Sequence, residues 1–560
     1  MVPLRAMPAP PRISGRALRS LAAFARTRVG AHALKQVFLA DLKVRELSAL
    51  PEELLGDVPV DTRPLPGRAP RASEDAGLPP PAAPWSTSSA TLADAYRSKK
   101  TTPREVVDAA LAAARWLASR TPSVGPIVAY VDHAARAEAD ASTARWAAGN
   151  PLGPLDGVPV VVKEHFAVRG LSTQNGSSFE SQSLATEDST IVARLRAAGA
   201  IVLGHTPMTE YGMSPLGFNP KRPMPKNPHS TDRVAGGSST GSGVAVAAGV
   251  VPLAIGSDGG GSIRIPSSLN GVFGIKATFG RVSRHGALFG GIVAHGGPLA
   301  SSTLDLARAL DAIAPRDALD SQTDFAPPFE AGAHERALGR GVKGLVIGID
   351  EVEWAAATGD VAKAGREALR VLEKRGAKLR DVKTKLARWA APVGYLTIGL
   401  EAHASQRDQI RTRFTEYTHD LQTTYAVLGL LGAVDVFEGM RLRTGIRVEM
   451  AAVFREVDLF AMPSTAMTAP RADDAEMASG FLDARALDAM CRHNFLGNLT
   501  GLPALSAPVG LDADRLPIGL QLVGDAWDEP TVLAASAELE RAGAARAEKP
   551  IVSVEIARRG

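Results

Sequence analysis

Lys163 closes an apolar run, Val158-Pro159-Val160-Val161-Val162, which follows Gly153-Pro154-Leu155-Asp156-Gly157 and reads as a buried strand. An ammonium at a buried strand end is costly. Burial draws a lysine down from its ordinary pKa of ~10.4 towards the neutral amine, a usable general base. Taken alone, Lys163 also fits a strand-end lysine whose head snorkels to water. A second stretch, Gly236-Gly237-Ser238-Ser239-Thr240-Gly241-Ser242-Gly243, runs straight into the apolar Val244–Ala248. Its glycines let backbone approach closely, and its serines supply hydroxyls that can relay protons. A flexible Gly/Ser linker is the other reading of such a run, although a linker is not expected to lead directly into an apolar helix. The third stretch is Gly256-Ser257-Asp258-Gly259-Gly260-Gly261-Ser262-Ile263-Arg264-Ile265-Pro266. Successive N–H groups on a glycine turn form a natural oxyanion hole, and Ser262 follows them directly. The turn lacks the Gly-Lys-Ser/Thr ending of a nucleotide-binding P-loop.

These residues need a framework, and the pattern from Leu92 onward supplies one. Pro103 to Leu117 reads as a helix with proline near its start. Strand Val158–Val162, helix Ser189–Ala198 and strand Ile201–Leu203 follow. Strand Leu345–Ile349, helix Val361–Arg375, strand Leu459–Ala461 and the pair Ala504–Pro508 and Ile518–Val523 continue the alternation. The expectation is an α/β fold, a large mixed β-sheet core covered by helices on both faces. Residues 1–85 differ. Residues 16–47 suggest one or two amphipathic helices and 51–84 a Pro-rich extended linker, so 1–85 reads as an extension and 86–560 as the catalytic domain.

The chain of 560 residues has a net charge of +4, but residues 1–48 hold nine Lys/Arg against Asp41 and Glu46, a balance of +7. By composition, then, the body is not a nucleic-acid-binding surface. The N-terminal segment is expected to clasp the body, with peripheral membrane or partner contact through residues 1–48 as the alternative. Cys491 is the single cysteine, which excludes internal disulfides and fits a reducing compartment. The longest apolar stretch, Val244 to Ile255, is broken by Gly249 and Pro252, short of the ~18 residues of a membrane span. The N-terminus has no continuous apolar core before a cleavage site, so the cytoplasm is expected. The eleven histidines show no His-Glu-x-x-His spacing, and neither metal nor organic cofactor is expected.

The three stretches together resemble the amidase signature family, whose hallmark is a Gly/Ser-rich segment ending in Gly-Gly-Ser-Ile-Arg-Ile/Phe-Pro. The likeness runs from about Leu92 to Glu540. It includes Asn227-Pro228, Arg233, Gly274-Ile275-Lys276, Thr278, Gly280-Arg281-Val282-Ser283, Gly297-Pro298-Leu299-Ala300, Thr500-Gly501-Leu502-Pro503-Ala504 and Leu516-Pro517-Ile518-Gly519-Leu520-Gln521. The resemblance implies Lys163 as the triad lysine, Ser238 as a bridging serine behind a cis peptide bond, and Ser262 as the acylated nucleophile. It implies oxyanion donors at Gly259, Gly260, Gly261 and Ser262, with Ser239, Asp258 and Arg264 in support. Thr240 stands where glycine is usual, Glu164 where aspartate is common, Gly259 where Thr or Ile often sits, and Ala277 where proline is usual. A positive φ at Thr240 would be strained.

The implied activity is hydrolysis of a small-molecule amide through an acyl-enzyme, without cofactor, and a homodimer is compatible with it. Two readings compete from the residues themselves. Gly237-Ser238-Ser239-Thr240-Gly241 matches the esterase elbow with Ser239 as nucleophile, but the preceding His229–Arg233 is polar where the elbow needs a strand. A catalytically silent binding protein is the other, and retention of both serines and the lysine argues against it. Within the family, the glutaminase-type component of a tRNA-dependent amidotransferase is the alternative. Substrate-pocket material is expected between about Ala314 and Asp483.

Overall fold

Apolar runs flanked by glycine turns form the strands of one mixed sheet, and Lys163 ends one strand in its first half. The computed structural model describes residues 12–41, 63–67, 78–79 and 85–556. Strands are numbered in chain order, beginning with β1 (Ile13–Ser14), which pairs antiparallel with β11 (Phe481–Leu482). The eleven-stranded sheet runs, edge to edge, β2 (Ala129–Tyr130), β4 (Ile201–Thr206), β3 (Pro159–Lys163), β5 (Leu253–Asp258), β7 (His295–Ala300), β6 (Phe273–Lys276), β12 (Ala504–Leu511), β13 (Pro517–Gly524), β10 (Leu459–Pro463), β8 (Val346–Ile349) and β9 (Lys378–Asp381). β3 lies parallel to both β4 and β5, whereas β7 and β6 continue the sheet antiparallel. Successive residues Val160, Val161 and Val162 are all fully buried. A strand covered on both faces reads as a continuous apolar run, which is why this one stands out.

The helix Thr240–Ala247 is buried at every residue. Its small side chains follow from how closely it packs. A Cβ at Gly241 would lie 2.4 Å from Pro207 Cδ and 2.8 Å from the Pro126 carbonyl oxygen. The Gly/Ser run is therefore the entry to a core helix and not a linker. Thr240 is the first residue of that helix and does not take a positive φ.

The expected N-terminal helices are present as Gly15–Ala25 and Arg28–Asp41. Leu18, Ala22 and Ala25 are buried, and both helices pack against the helix His419–Leu428. Arg12 binds Glu476 and Asp483, each at 2.9 Å, and Lys35 Nζ donates to the Leu430 carbonyl at 2.8 Å. Residues 1–11, 42–62, 68–77 and 80–84, and with them most of the expected linker, lie outside the described residues. Among the described residues no helix is long and apolar enough to cross a membrane. Deleting residues 1–85 strips these contacts but no catalytic candidate. A melting curve should therefore fall by several degrees, the size of effect expected when a few kcal/mol are lost, while a small amide is still hydrolysed.

Candidate active site

The parallel pairing of β3 with β5 sets Val162 beside Ile255, so both strands deliver their carboxyl ends to the same edge of the sheet. Ligands in α/β sheets bind outside such ends. Lys163 is the last residue of β3, and Ser257 and Asp258 are the last two of β5. Fully buried Lys163 donates from Nζ to Ser238 Oγ at 2.7 Å and to Ser257 Oγ at 2.8 Å. Burial draws its pKa down to about 7, against the opposing pull of Asp258 and Glu164. The Gly237–Ser238 peptide is cis.

Ser262 and Ser238 share one cavity of about 680 Å³. Ser262 is half-buried there, and its carbonyl accepts the Ser239 N–H at 3.3 Å. Among the described residues no hydrogen bond joins the Ser238 and Ser262 hydroxyls. Catalytic hydrogen bonds are often long in unliganded enzymes and tighten with substrate. Ser239 is fully buried, donates from Oγ to the Ser257 carbonyl at 3.1 Å and does not line the cavity. It braces two segments and is in no position to attack, which removes the esterase geometry.

The glycine turn is fixed by crowding. A Cβ at Gly260 would lie 2.5 Å from the Phe495 ring. At Gly261, which has a φ of +116°, it would lie 2.6 Å from Asn494 Cβ. The Gly261 N–H donates to Asp258 Oδ1 at 2.7 Å and is thereby occupied. Among the described residues no group takes the N–H of Gly259, Gly260 or Ser262, and Gly259 and Ser262 line the cavity.

Asp258 and Arg264 form a fully buried pair at 2.9 Å. Arg264 Nε and Nη2 reach the two Asp258 oxygens. Its remaining N–H groups donate to the Asn494 carbonyl, Gln521 Oε1 and Asn498 Oδ1, so the whole guanidinium fork is satisfied. Burial alone would raise Asp258. The Arg264 charge and hydrogen bonds outweigh it and hold the carboxyl well below the usual range. Replacing Arg264 with leucine strands a buried carboxylate, a change that costs about 3–5 kcal/mol. Urea unfolding of Arg264→Leu should register a loss of that order.

Two residues escape a reading of the sequence alone. Ser257 Oγ is shared between Lys163 and His165, whose Nδ1 lies 2.8 Å away, and both line the cavity. The available signal is local, since His165 stands two positions after Lys163 and Ser257 directly before Asp258. The outer wall carries Ile398, Glu401 and Gln406, from the segment where pocket material is expected. It also carries Glu180 and Phe289 from loops, and Tyr211 from the short helix Glu210–Gly212, all outside that segment. Among the described residues no cluster of His, Cys, Asp and Glu could hold a metal ion.

The sequence matches the family described as Amidase over residues 105–533. It is 32% identical over 482 residues to a fatty acid amide hydrolase of Oryza sativa subsp. indica, covering 85% of this chain and 79% of that protein. It is 36% identical over 448 residues to a component of the glutamyl-tRNA(Gln) amidotransferase of Roseiflexus castenholzii, covering 74% and 88%. The fold superimposes with a TM-score of 0.71 on a bacterial aryl acylamidase of the amidase signature family, at 27% identity and covering 82% and 96%. With its lysine, two serines and glycine turn gathered at one sheet edge, this chain belongs to the amidase signature family of amide-hydrolysing enzymes.

Proposed function

We propose that the chain hydrolyses a carboxylic amide through an acyl-enzyme on Ser262, with Ser238 as relay and Lys163 as base. The observation that carries this reading is the 2.7 Å contact between buried Lys163 Nζ and Ser238 Oγ, with Ser238 lining the same cavity as Ser262. Neutral Lys163 takes a proton from Ser238, which takes one from Ser262 as its Oγ attacks the carbonyl. The N–H groups of Gly259, Gly260 and Ser262 stabilise the tetrahedral oxyanion. The relay then returns a proton to the leaving nitrogen, because an amide anion is a very poor leaving group. Water activated by the same groups releases the acid. Lysine here fills the role that histidine plays in other nucleophile–base–orienter sites.

A screen of primary amides, anilides and peptide amides, with the acyl-enzyme detected by intact mass, tests this reading and identifies the substrate. Absence of any acyl adduct across the panel would favour a silent binding protein. Ammonia release from glutamine only in the presence of partner proteins would favour the amidotransferase reading, which is supported by the 36% identity to a component of such an enzyme. For the N-terminal extension we propose a clasp, supported by buried Leu18, Ala22 and Ala25 and by the Lys35 contact with the Leu430 carbonyl. Arg16, Arg19, Arg26 and Arg28 stay exposed, and liposome co-sedimentation at low and high salt tests whether they also attract an anionic membrane. The buried free thiol of Cys491 supports a cytoplasmic setting.

A further inference from the structure

We propose that His165 is a positioning residue for the base: its Nδ1 accepts the Ser257 proton and thereby reserves the lone pair of neutral Lys163 for Ser238. This rests on the assignment of Lys163 as base. Hydrogen counting sets the constraint. A neutral amine has one lone pair and two N–H donors, and Lys163 Nζ is flanked by two hydroxyls, Ser238 Oγ at 2.7 Å and Ser257 Oγ at 2.8 Å. Only one of them can donate to that lone pair. Relay needs the donor to be Ser238. A Ser257 hydroxyl turned towards the amine would occupy the lone pair and leave the base idle.

The third partner of Ser257 decides between the two. Ser257 Oγ lies 2.8 Å from His165 Nδ1. While Lys163 is an ammonium it donates to both hydroxyls, so the Ser257 proton is left with Nδ1 as its acceptor. A neutral imidazole has one donor and one acceptor nitrogen. Accepting at Nδ1 therefore puts the hydrogen on Nε2, and His165 lines the cavity, where Nε2–H can meet water or substrate. Burial keeps the imidazole neutral, pushing its pKa well below the ordinary value, and the nearby Lys163 adds to that. The ring packs against Phe289, with centroids 5.2 Å apart, and the backbone that carries it is pinned by the Leu288 N–H, which donates to the His165 carbonyl at 2.8 Å.

When Lys163 then loses its proton, Ser257 keeps donating to His165 and keeps accepting from a Lys163 N–H. The free lone pair points at Ser238. In the acylation step Lys163 gains the Ser238 proton and Ser238 gains the Ser262 proton as the Oγ–carbonyl bond forms. As the C–N bond breaks, Ser238 passes its proton to the leaving nitrogen and takes one back from Lys163, which is again the neutral amine. His165 ends each step with the proton it began with.

The test uses a fluorophosphonate, whose fluoride leaves without a proton, so its rate of attachment to Ser262 reads the base directly and independently of the natural substrate. Variants of the full chain are His165→Leu, His165→Asn, Ser257→Ala and the double His165→Leu/Ser257→Ala, with Lys163→Ala as reference. His165→Leu should slow labelling by about tenfold to a hundredfold, the rate equivalent of misdirecting one buried hydrogen bond. His165→Asn places an amide oxygen where Nδ1 stood and should restore most of the rate. With Ser257→Ala the competing hydroxyl is gone, so adding His165→Leu should change nothing further. Should His165→Leu fail to fold, His165→Ala removes the same acceptor with less steric demand. Wild-type labelling rates in His165→Leu, no rescue by asparagine, or losses that multiply in the double variant would each overturn the proposal. A wild-type rate in Lys163→Ala, or no labelling of the wild type, would instead overturn the underlying assignment of base or nucleophile.

Discussion

Ser262→Ala is expected to yield a folded protein with no measurable amide hydrolysis. The substitution removes a single oxygen, from a half-buried side chain in the cavity. The fold should hardly notice, because surface-like changes that break no buried contact stay within about 0.5 kcal/mol. The chemistry should collapse. Removing the nucleophile of a serine hydrolase costs up to about a millionfold in kcat, because the remaining oxyanion donors have no attacking atom to serve. Matched melting curves and a kcat measurement on the same preparations check both halves. The labelling site is the sharper test. A serine-directed reagent should modify Ser262 in the wild type and nothing in the variant. Modification of Ser239 would contradict its burial and reopen the esterase mechanism.

Replacing Lys163 should separate amides from activated esters. An amide needs protons moved twice in acylation, off the nucleophile and onto the leaving nitrogen, whereas a nitrophenyl ester needs only the first. Lys163→Ala should therefore cost about 10²–10⁴-fold on an amide, the usual contribution of general acid–base catalysis, and distinctly less on the ester. Lys163→Met, which keeps more of the volume, guards against a merely structural loss. The wild-type pH profile carries the same information. Burial holds the Lys163 pKa at about 7. Below that pH the side chain is an ammonium without a lone pair, and above it the neutral amine can accept. The rate should rise with pH through about 7, and the variants should lose that limb. Equal losses on amide and ester would assign Lys163 to structure alone.

What can be read without coordinates divides along physical lines. Strands buried on both faces advertise themselves, and the expected Val158–Val162 lies within one residue of the observed Pro159–Lys163. β7, His295-Gly296-Gly297-Pro298-Leu299-Ala300, does not, because two glycines and a proline read as a turn. Its neighbours β5 and β6 hold it extended by pairing, a tertiary cause that local sequence does not carry. The site divides in the same way. Lys163, Ser238 and Ser262 stand in stretches of distinctive composition. Ser257 and His165 are ordinary residues whose meaning lies in a contact across 92 positions. The occupied Gly261 N–H is hidden too. A glycine turn shows how many donors exist, and only the placement of the Asp258 carboxylate shows which are spent.

The partners of Arg264 have a consequence for the timetable of synthesis. The guanidinium that fixes the Asp258 end of the glycine turn before Ser262 is itself held by Asn494, Asn498 and Gln521, residues 230 to 257 positions further along the chain. β12 and β13, from the same late stretch, also complete the middle of the sheet. A ribosome adding about 5–20 residues per second needs on the order of ten to fifty seconds to cover that interval. Throughout it, the nascent chain already carries its lysine and both serines but cannot set the turn that activates them. Hydrolysis should thus switch on only with the release of a nearly complete polypeptide, and chains that terminate before Gln521 should be inert instead of partly active.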